Sequence, residues 1–205
     1  RSQSTGPCRP RGCLEMDGFD SVLDKLASAH PDAPAAEDGH GSWTYGQLSE
    51  ASLRVAAVLQ ARSVEGSGVP SWSSGPPEAP RPLALVLPRG RAWYALCWAG
   101  WRLGLPVCAL SEDMPDKAAE RDRAARAARE LRPLVAVVDG DVEAIIPDLP
   151  PDCVVFQVAE LWNVMTTGAG VNGYSGSVSG KSPDSVLLYS YTGGTTKYSK
   201  CCIVT

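Results

Sequence analysis

The sequence has few of the residues that bind metal ions and no apolar run long enough to cross a membrane. It contains two histidines, His30 and His40, with no tight group of cysteine and histidine around them, which argues against a zinc site. Lysine and arginine form no stripe interleaved with aromatic residues, and the formal net charge is −4. We therefore expect no metal site built from side chains, no membrane span and no nucleic-acid partner.

Cysteine is present, but in a pattern that argues against a disulfide framework. The cysteines are odd in number, scattered along the chain and mostly embedded in apolar runs. This pattern is typical of reduced thiols in an intracellular protein, so we expect a cytoplasmic location. The seven positions are Cys8, Cys13, Cys97, Cys108, Cys153, Cys201 and Cys202.

The composition predicts one sizeable core, preceded by an unstructured arm. Hydrophobic residues make up 44% of the chain and charged residues 20%, which is ordinary for a globular domain. Residues 1–16 mix Pro, Gly, Ser and Arg without periodicity and predict a disordered arm, so the folded region is expected to be 17–205. Within it, 31–41 reads as a polar loop, and the Gly/Ser/Pro-rich segments 64–82 and 162–182 as loop insertions.

Short apolar segments alternate with segments of helical periodicity over most of the folded region. Strands are predicted at 83–87, 107–110, 134–138, 153–158 and 186–189. Helices are predicted around 19–26, from a capping box at Thr44 and Gln47 to about 62, at 92–103 and at 116–132. The tryptophans of the helix at 92–103 are interpreted as packing against the sheet. This alternation predicts an α/β fold with a mostly parallel sheet covered by helices on both faces.

Two nucleotide-binding patterns occur near residue 170, but neither has the structural context it requires. Residues 168–173 (GAGVNG) match a dinucleotide fingerprint, and 175–182 (SGSVSGKS) come within one residue of a Walker A motif. Both patterns need a helix behind them, so that phosphate meets the helix N-terminus. Residues 174–180 cannot form a stable helix, and Pro183 with a strand follows the second pattern. Both are therefore interpreted as one Gly/Ser-rich loop.

The strongest functional signal is the segment 192–200, TGGTTKYSK, which begins two residues after the predicted strand at 186–189. Glycine lets the backbone approach polyphosphate oxygens closely, threonine hydroxyls add donors, and a trailing lysine adds a mobile positive charge. In parallel sheets, ligands bind at the carboxyl ends of strands. The order strand, Thr-Gly-Gly-Thr-Thr, lysine thus predicts a phosphate loop, with a simple Gly/Thr hairpin turn as the alternative.

Residues 191–200 resemble the phosphate-loop motif of the adenylate-forming ligases, which include acyl-CoA synthetases, luciferases and nonribosomal-peptide adenylation domains. The common form in that family is Tyr-Thr-Ser/Gly-Gly-Thr-Thr-Gly-x-Pro-Lys-Gly-Val. Upstream segments are similar to the family in the same order: 29–35 (AHPDAPA), 43–48 (WTYGQL), 83–89 with the helix that follows it, and 132–138. The resemblance covers about 17–205 and implies the beginning of the large N-terminal domain of such an enzyme.

By this resemblance, the reaction is carboxylate plus ATP giving an acyl-adenylate and pyrophosphate, with Mg²⁺ assisting. The acyl group then passes to a thiol, either of CoA or of phosphopantetheine on an acyl or peptidyl carrier domain, so the expected partners are a small carboxylic acid and such a carrier. The residues implied to bind the ATP phosphates are Thr192, Thr195 and Thr196 through hydroxyls, Gly193 and Gly194 through backbone N–H groups, and Lys200 through its charge.

The segment also departs from the family pattern. Lys197 replaces the usual glycine, Ser199 the usual proline, and Cys201-Cys202 the usual Gly-Val. The family's adenine-binding segment, ribose-binding acid and late catalytic lysine have no counterpart before residue 205, so we expect a truncated domain without a complete catalytic set, inactive by itself. The alternative hypothesis is a degenerate adenylation-like module that only binds nucleotide or another protein.

Overall fold

The computed structural model describes residues 19–67, 80–110, 116–142, 146–168, 185–191 and 201–205. Helices and strands alternate through these ranges. The helices are α1 (Asp20–Ala29), α2 (Tyr45–Ser67), α3 (Arg91–Arg102), α4 (Lys117–Leu131) and α5 (Val158–Thr167). The strands are β1 (Pro34–Asp38), β2 (Gly41–Thr44), β3 (Leu83–Val86), β4 (Val107–Leu110), β5 (Val135–Val138), β6 (Val154–Gln157), β7 (Leu188–Tyr191) and β8 (Cys201–Val204).

Six strands form one mixed sheet in the order β6-β5-β3-β4-β7-β8. Neighbouring strands from β6 to β7 are parallel, and β8 pairs antiparallel with β7 at the edge. Strands β1 and β2 form a separate antiparallel hairpin. The prediction of an α/β fold with a mostly parallel sheet is therefore confirmed.

Side chains of the central strand alternate between two cores, one on each face of the sheet. Leu83 and Leu85 enter a large core shared with α1, α2, α3 and α5, whereas Ala84 and Val86 enter a smaller core against α4. All four are at most 3% exposed. Helices therefore cover both faces, as a parallel sheet with apolar residues on both faces requires.

The start of α2 is fixed by a capping box. The Thr44 N–H donates to Gln47 Oε1 at 2.9 Å, and the Gln47 N–H donates to Thr44 Oγ1 at 3.3 Å. Two backbone donors that the helix cannot satisfy internally thus find partners. This prediction from the sequence is confirmed.

Three loop boundaries expected from the sequence are wrong. Strand β1 occupies 34–38 within the expected polar loop because it pairs with β2 across the turn at 39–40. Helix α2 runs to Ser67, into the expected insertion 64–82. Helix α5 covers 162–167 of the expected insertion 162–182, since Leu161 and Met165 lie one turn apart and are both buried. Residues 68–79 and 169–182 of these insertions, and the arm 1–16, lie outside the described residues.

A buried arginine ties the first three helices together. Arg102, at the end of α3, is 5% exposed and donates to Asp24 Oδ2 of α1 at 2.8 Å and to Ser52 Oγ of α2 at 2.9 Å. Ser49 also donates its hydroxyl to Asp24 at 2.7 Å. Since a buried guanidinium without a carboxylate partner is costly, this network fixes how α1 docks on α2 and α3.

Among the described residues, no helix combines the length and the apolar character that crossing a bilayer requires. The longest helix, α2, carries charged residues on its exposed side, including Glu50 and Arg54, which form an ion pair one turn apart.

Replacing Asp24 with asparagine is expected to lower the free energy of unfolding at neutral pH and to change how that free energy varies with pH. Hydrogen bonds from Arg102 lower the pKa of Asp24, so its ionised form stabilises the fold above the unfolded value near pH 4, and this contribution is lost as pH falls through the folded pKa. We expect Asp24→Asn to cost about 1–2 kcal/mol at pH 7 and the difference from wild type to shrink below about pH 4. Urea unfolding between pH 7 and pH 2.5 measures both.

Asp32→Asn, at an exposed position in the turn before β1, is the matched control and should leave the free energy of unfolding at pH 7 unchanged. A constant difference between Asp24→Asn and wild type at every pH would contradict the role assigned to the Asp24 carboxylate.

Candidate functional site

The carboxyl ends of five parallel strands lie at one edge of the sheet, and one of these strands, β7, immediately precedes the segment 192–200 in the sequence. Strand β7 ends at Tyr191, and β8 begins at its cross-strand partner Cys201. The nine residues between them therefore leave and re-enter the sheet at adjacent positions on that edge. This is the edge at which ligands bind in open α/β sheets.

The predicted phosphate-binding residues lie outside the described residues. They are Thr192, Gly193, Gly194, Thr195, Thr196 and Lys200. The structure instead shows the residues on either side of this segment, Tyr191 and Cys201, and the side chain of Glu130 on α4 that contacts Tyr191. We call these three residues the loop neck.

The loop neck contains a tyrosine buried on the α4 side of the sheet. Tyr191 is 7% exposed, and its hydroxyl donates to Glu130 Oε2 at 3.1 Å. Burial, and then the Glu130 carboxylate, raise the pKa of Tyr191 well above its usual value, so the phenol remains a proton donor at physiological pH. Sequence reasoning missed Glu130, because on the pattern alone it is one of several charged residues on an amphipathic helix.

Strand β7 is also held at its beginning. Trp101 of α3 donates its indole N–H to the Leu187 carbonyl at 2.9 Å, and the Leu187 N–H donates to the Val204 carbonyl at 2.7 Å. Trp98 and Trp101 pack against each other and against Phe19, with ring centroids 4.9–5.1 Å apart. The tryptophans of α3 pack against the core, as the sequence predicted, whereas the hydrogen bond from Trp101 to the chain just before β7 was not predicted.

The expected strand at 186–189 is displaced by two residues. Pairing with β4 and β8 puts β7 at Leu188–Tyr191, since the register is set by Cys108 opposite Tyr189 and by Tyr191 opposite Cys201. Ser190 and Tyr191 thus belong to the strand, and the segment predicted to bind phosphate begins immediately after it.

The unusual Cys201-Cys202 pair occupies ordinary strand positions in β8. Cys201 is partly buried and faces the α4 side of the sheet, while Cys202 is exposed. Burial raises the pKa of Cys201 and raises that of Cys108 on β4 to about 12. Strand β7 separates β4 from β8, and two strand spacings of about 4.8 Å exceed the Cα separation a disulfide allows, so Cys108 and Cys201 cannot form one.

The dinucleotide pattern at 168–173 begins at the end of a helix and not after a strand. Gly168 follows α5 with φ of 69°, and its N–H donates to the Val164 carbonyl at 3.1 Å. This is a left-handed C-terminal cap, a conformation that favours glycine. The first glycine of the pattern therefore has a structural role, which agrees with rejecting the dinucleotide fingerprint.

No group of three or more side chains suited to hold a metal ion occurs within the residues that the structure describes.

At the carboxyl edge, the Gln157 side chain bonds the backbone of Gly140 in both directions, donating at 2.9 Å and accepting at 3.2 Å. The carboxyl end of β6 is thereby tied to the turn after β5.

Comparisons with known proteins give the family. The family model described as AMP-binding enzyme matches residues 23–205, and the chain belongs to this family. The resemblance to adenylate-forming ligases drawn from the phosphate-loop motif is thus confirmed. None of the curated proteins matches the chain.

Three solved structures illustrate the likeness of fold to known proteins. VinN in complex with L-aspartate is 22% identical with a TM-score of 0.64, covering 91% of this chain and 43% of VinN. The N-terminal subdomain of Klebsiella oxytoca NpsA is 17% identical (TM-score 0.61; 92% and 42% covered), and Mycobacterium tuberculosis fatty acyl CoA synthetase is 15% identical (TM-score 0.62; 92% and 34% covered). At these identities the likeness shows the fold, and the chain spans about two fifths of the first two structures.

Cys202 is expected to be the first of the described cysteines to react with iodoacetamide in the folded protein. Its side chain is exposed, whereas Cys97 and Cys108 are buried and burial raises the pKa of both thiols, which lowers the thiolate fraction that reacts. Peptide mass spectrometry after brief labelling at pH 8, with and without urea, measures the order of reaction. Labelling of Cys108 in the native protein as fast as Cys202 would contradict the described burial.

Proposed function

We propose that this chain supplies the ATP phosphate-binding part of an enzyme that activates a carboxylic acid as an acyl-adenylate for transfer to a thiol. One observation carries the proposal: β7, which immediately precedes TGGTTKYSK in the sequence, ends at the carboxyl edge of the sheet, in a chain of the AMP-binding enzyme family. The acceptor thiol is that of CoA or of phosphopantetheine on a carrier domain.

The donor set of the segment fits a polyphosphate. Thr192, Thr195 and Thr196 offer hydroxyl donors, Gly193 and Gly194 offer backbone N–H groups without a Cβ in the way, and Lys200 offers a compact positive charge. None of these groups is a carboxylate, so the set suits anionic oxygens and not a metal ion. This chemistry matches the β- and γ-phosphates of ATP.

Mg²⁺ fits the same proposal as an ion held mainly by the phosphates. It prefers oxygen ligands and usually keeps several waters, binding through one or two carboxylates together with substrate phosphates. When bound, it would neutralise charge on the pyrophosphate leaving group. The absence of a three-ligand cluster from the described residues is compatible with this mode.

The contribution of the chain to the reaction is electrostatic and geometric. In the proposed step, a carboxylate oxygen of the acid attacks the α-phosphorus of ATP, and the bond from that phosphorus to the bridging oxygen of pyrophosphate breaks. Donors from 192–200 orient the β- and γ-phosphates and stabilise the negative charge that accumulates on the leaving pyrophosphate. This differential stabilisation is what lowers the barrier.

The substrate is proposed to be a small carboxylic acid. VinN has been solved with L-aspartate, and NpsA with 3-hydroxybenzoyl-AMSN. These structures provide test acids of two chemical types, an amino acid and an aromatic acid, and the fatty acyl CoA synthetase suggests a third. The three types define the panel for the experiment below.

Replacing Lys200 with alanine is expected to lower kcat/KM for acid activation by about 100-fold or more, because the positive charge proposed to stabilise the leaving pyrophosphate is lost. The measurement is carboxylate-dependent exchange of labelled pyrophosphate into ATP by the full-length protein, using L-aspartate, 3-hydroxybenzoate and, for comparison, a fatty acid. Lys25→Ala, on the exposed side of α1, is the matched control. An unchanged exchange rate in Lys200→Ala would contradict the proposed role.

The 205 residues alone are expected to catalyse no exchange. The chain spans 34–43% of the solved structures described above, so most of their residues have no counterpart in it. Measuring exchange with the purified 205-residue chain beside the full-length protein tests this. Exchange by the short chain at the full-length rate would show that the catalytic set is complete within it.

A second candidate function is a module that binds nucleotide or protein without catalysis, which Lys197 and Ser199 motivate. The Cys201-Cys202 pair does not add to this argument, because both residues lie at regular β8 positions. Lys197→Gly restores the usual family residue and separates the two candidates. Exchange in wild type supports the enzyme, whereas ATP binding without exchange in both wild type and Lys197→Gly supports the module.

A further inference from the structure

The loop neck has a feature that strand pairing alone does not require. Tyr191 is the last residue before the segment 192–200, and it is also the cross-strand partner of Cys201, the first residue after it. One side chain therefore lies beside both ends of the segment. The Tyr191 hydroxyl donates to Glu130 Oε2 at 3.1 Å, although the two residues are 61 positions apart in the sequence.

The position of Glu130 is not explained by helix stability. It lies in the last turn of α4, which ends at Leu131, and the carbonyl end of a helix carries partial negative charge that disfavours a carboxylate. The opposite end of the same helix shows the favourable arrangement, where Asp116 accepts from the Ala118 and Ala119 N–H groups at 3.0 and 3.1 Å. A partner for Glu130 outside the helix offsets this disadvantage, and Tyr191 is such a partner.

The packing of α4 on the sheet makes this contact possible. The helix faces the sheet with Ala124, Ala127 and Ala128, all at most 3% exposed. Small side chains allow a close approach between helix and sheet, and Tyr191 is packed in the same core. The Glu130 side chain can therefore reach a residue of β7 although Glu130 itself is exposed.

We infer that Glu130 and Tyr191 are positioning residues of the nucleotide site. Their hydrogen bond fixes the ends of β7 and β8, between which the segment proposed to bind the β- and γ-phosphates of ATP lies in the sequence. The inference rests on the proposed function. The hydrogen bond ties the end of β7 to α4, so that the first residue of the phosphate-binding segment leaves the sheet from a fixed point. Neither residue touches the nucleotide in this proposal.

The test compares ATP with AMP, since AMP lacks the β- and γ-phosphates. With the full-length protein, titration calorimetry with Mg·ATP and with AMP is expected to show that Tyr191→Phe and Glu130→Ala each weaken ATP binding about five-fold, the effect of one hydrogen bond. AMP binding is expected to stay within about two-fold of wild type. A merely structural role would weaken both ligands together.

Two further variants sharpen the test. Glu130→Gln keeps an acceptor oxygen and is expected to retain most of the ATP affinity. The double variant Tyr191→Phe, Glu130→Ala is expected to bind ATP no more weakly than either single variant, because both substitutions remove the same hydrogen bond. Tyr94→Phe and Glu160→Ala, at exposed positions on α3 and α5, are the matched controls. If Tyr191→Phe folds poorly, the Glu130 variants carry the test, since that residue is exposed.

The outcomes separate this inference from the proposed function. Wild-type protein that binds neither nucleotide would contradict the proposed function, and the inference would fall with it. Wild-type ATP affinity in Tyr191→Phe and Glu130→Ala, additive effects in the double variant, or equal weakening of ATP and AMP would overturn the inference alone.

Discussion

The burial of β3 on both faces and both edges is the constraint on which the rest of the described fold depends. Its four residues are at most 3% exposed, and their backbone groups pair with β4 on one side and β5 on the other. A strand with no polar face needs a helical layer above it and another below it. Helices α1, α2, α3 and α5 supply one layer and α4 the other.

The two layers are built from different side chains. On the larger side, leucine, tryptophan and phenylalanine fill the space between the sheet and four helices, and Gly100 lets α3 approach closely, since a Cβ there would lie 3.0 Å from Leu83 Cδ2 and 3.3 Å from Val107 Cγ2. On the other side, alanines of α4 meet alanine and valine of the sheet. The sheet therefore lies between a large core of bulky side chains and a smaller core of mostly small side chains, and the smaller core includes Tyr191 of the loop neck.

The parts of this architecture that the sequence predicts are those with a local physical cause. Apolar runs such as 134–138 predicted strands, and the Thr44–Gln47 spacing predicted the start of α2. The β1–β2 hairpin was missed because PAAED has no apolar alternation. Helix α5 was missed because the sequence reading placed 162–167 in the Gly/Ser-rich loop that follows it. The order of residues in 192–200 predicted a phosphate loop, but the contact between Glu130 and Tyr191 was not predicted, since the two residues lie 61 positions apart. Contacts of that kind depend on how the layers pack and leave no trace in local periodicity.

The antiparallel pairing of β7 with β8 changes the entropy of the segment between them. A free nine-residue segment would lose entropy when its ends are brought together, by an amount that grows with the logarithm of its length. In this fold the Tyr191–Cys201 pair holds the ends about 5 Å apart, so the entropy of bringing them together is lost on folding and not on ligand binding. Under the proposed function, a phosphate that binds this segment does not have to bring its two ends together, so that entropy cost does not reduce the affinity.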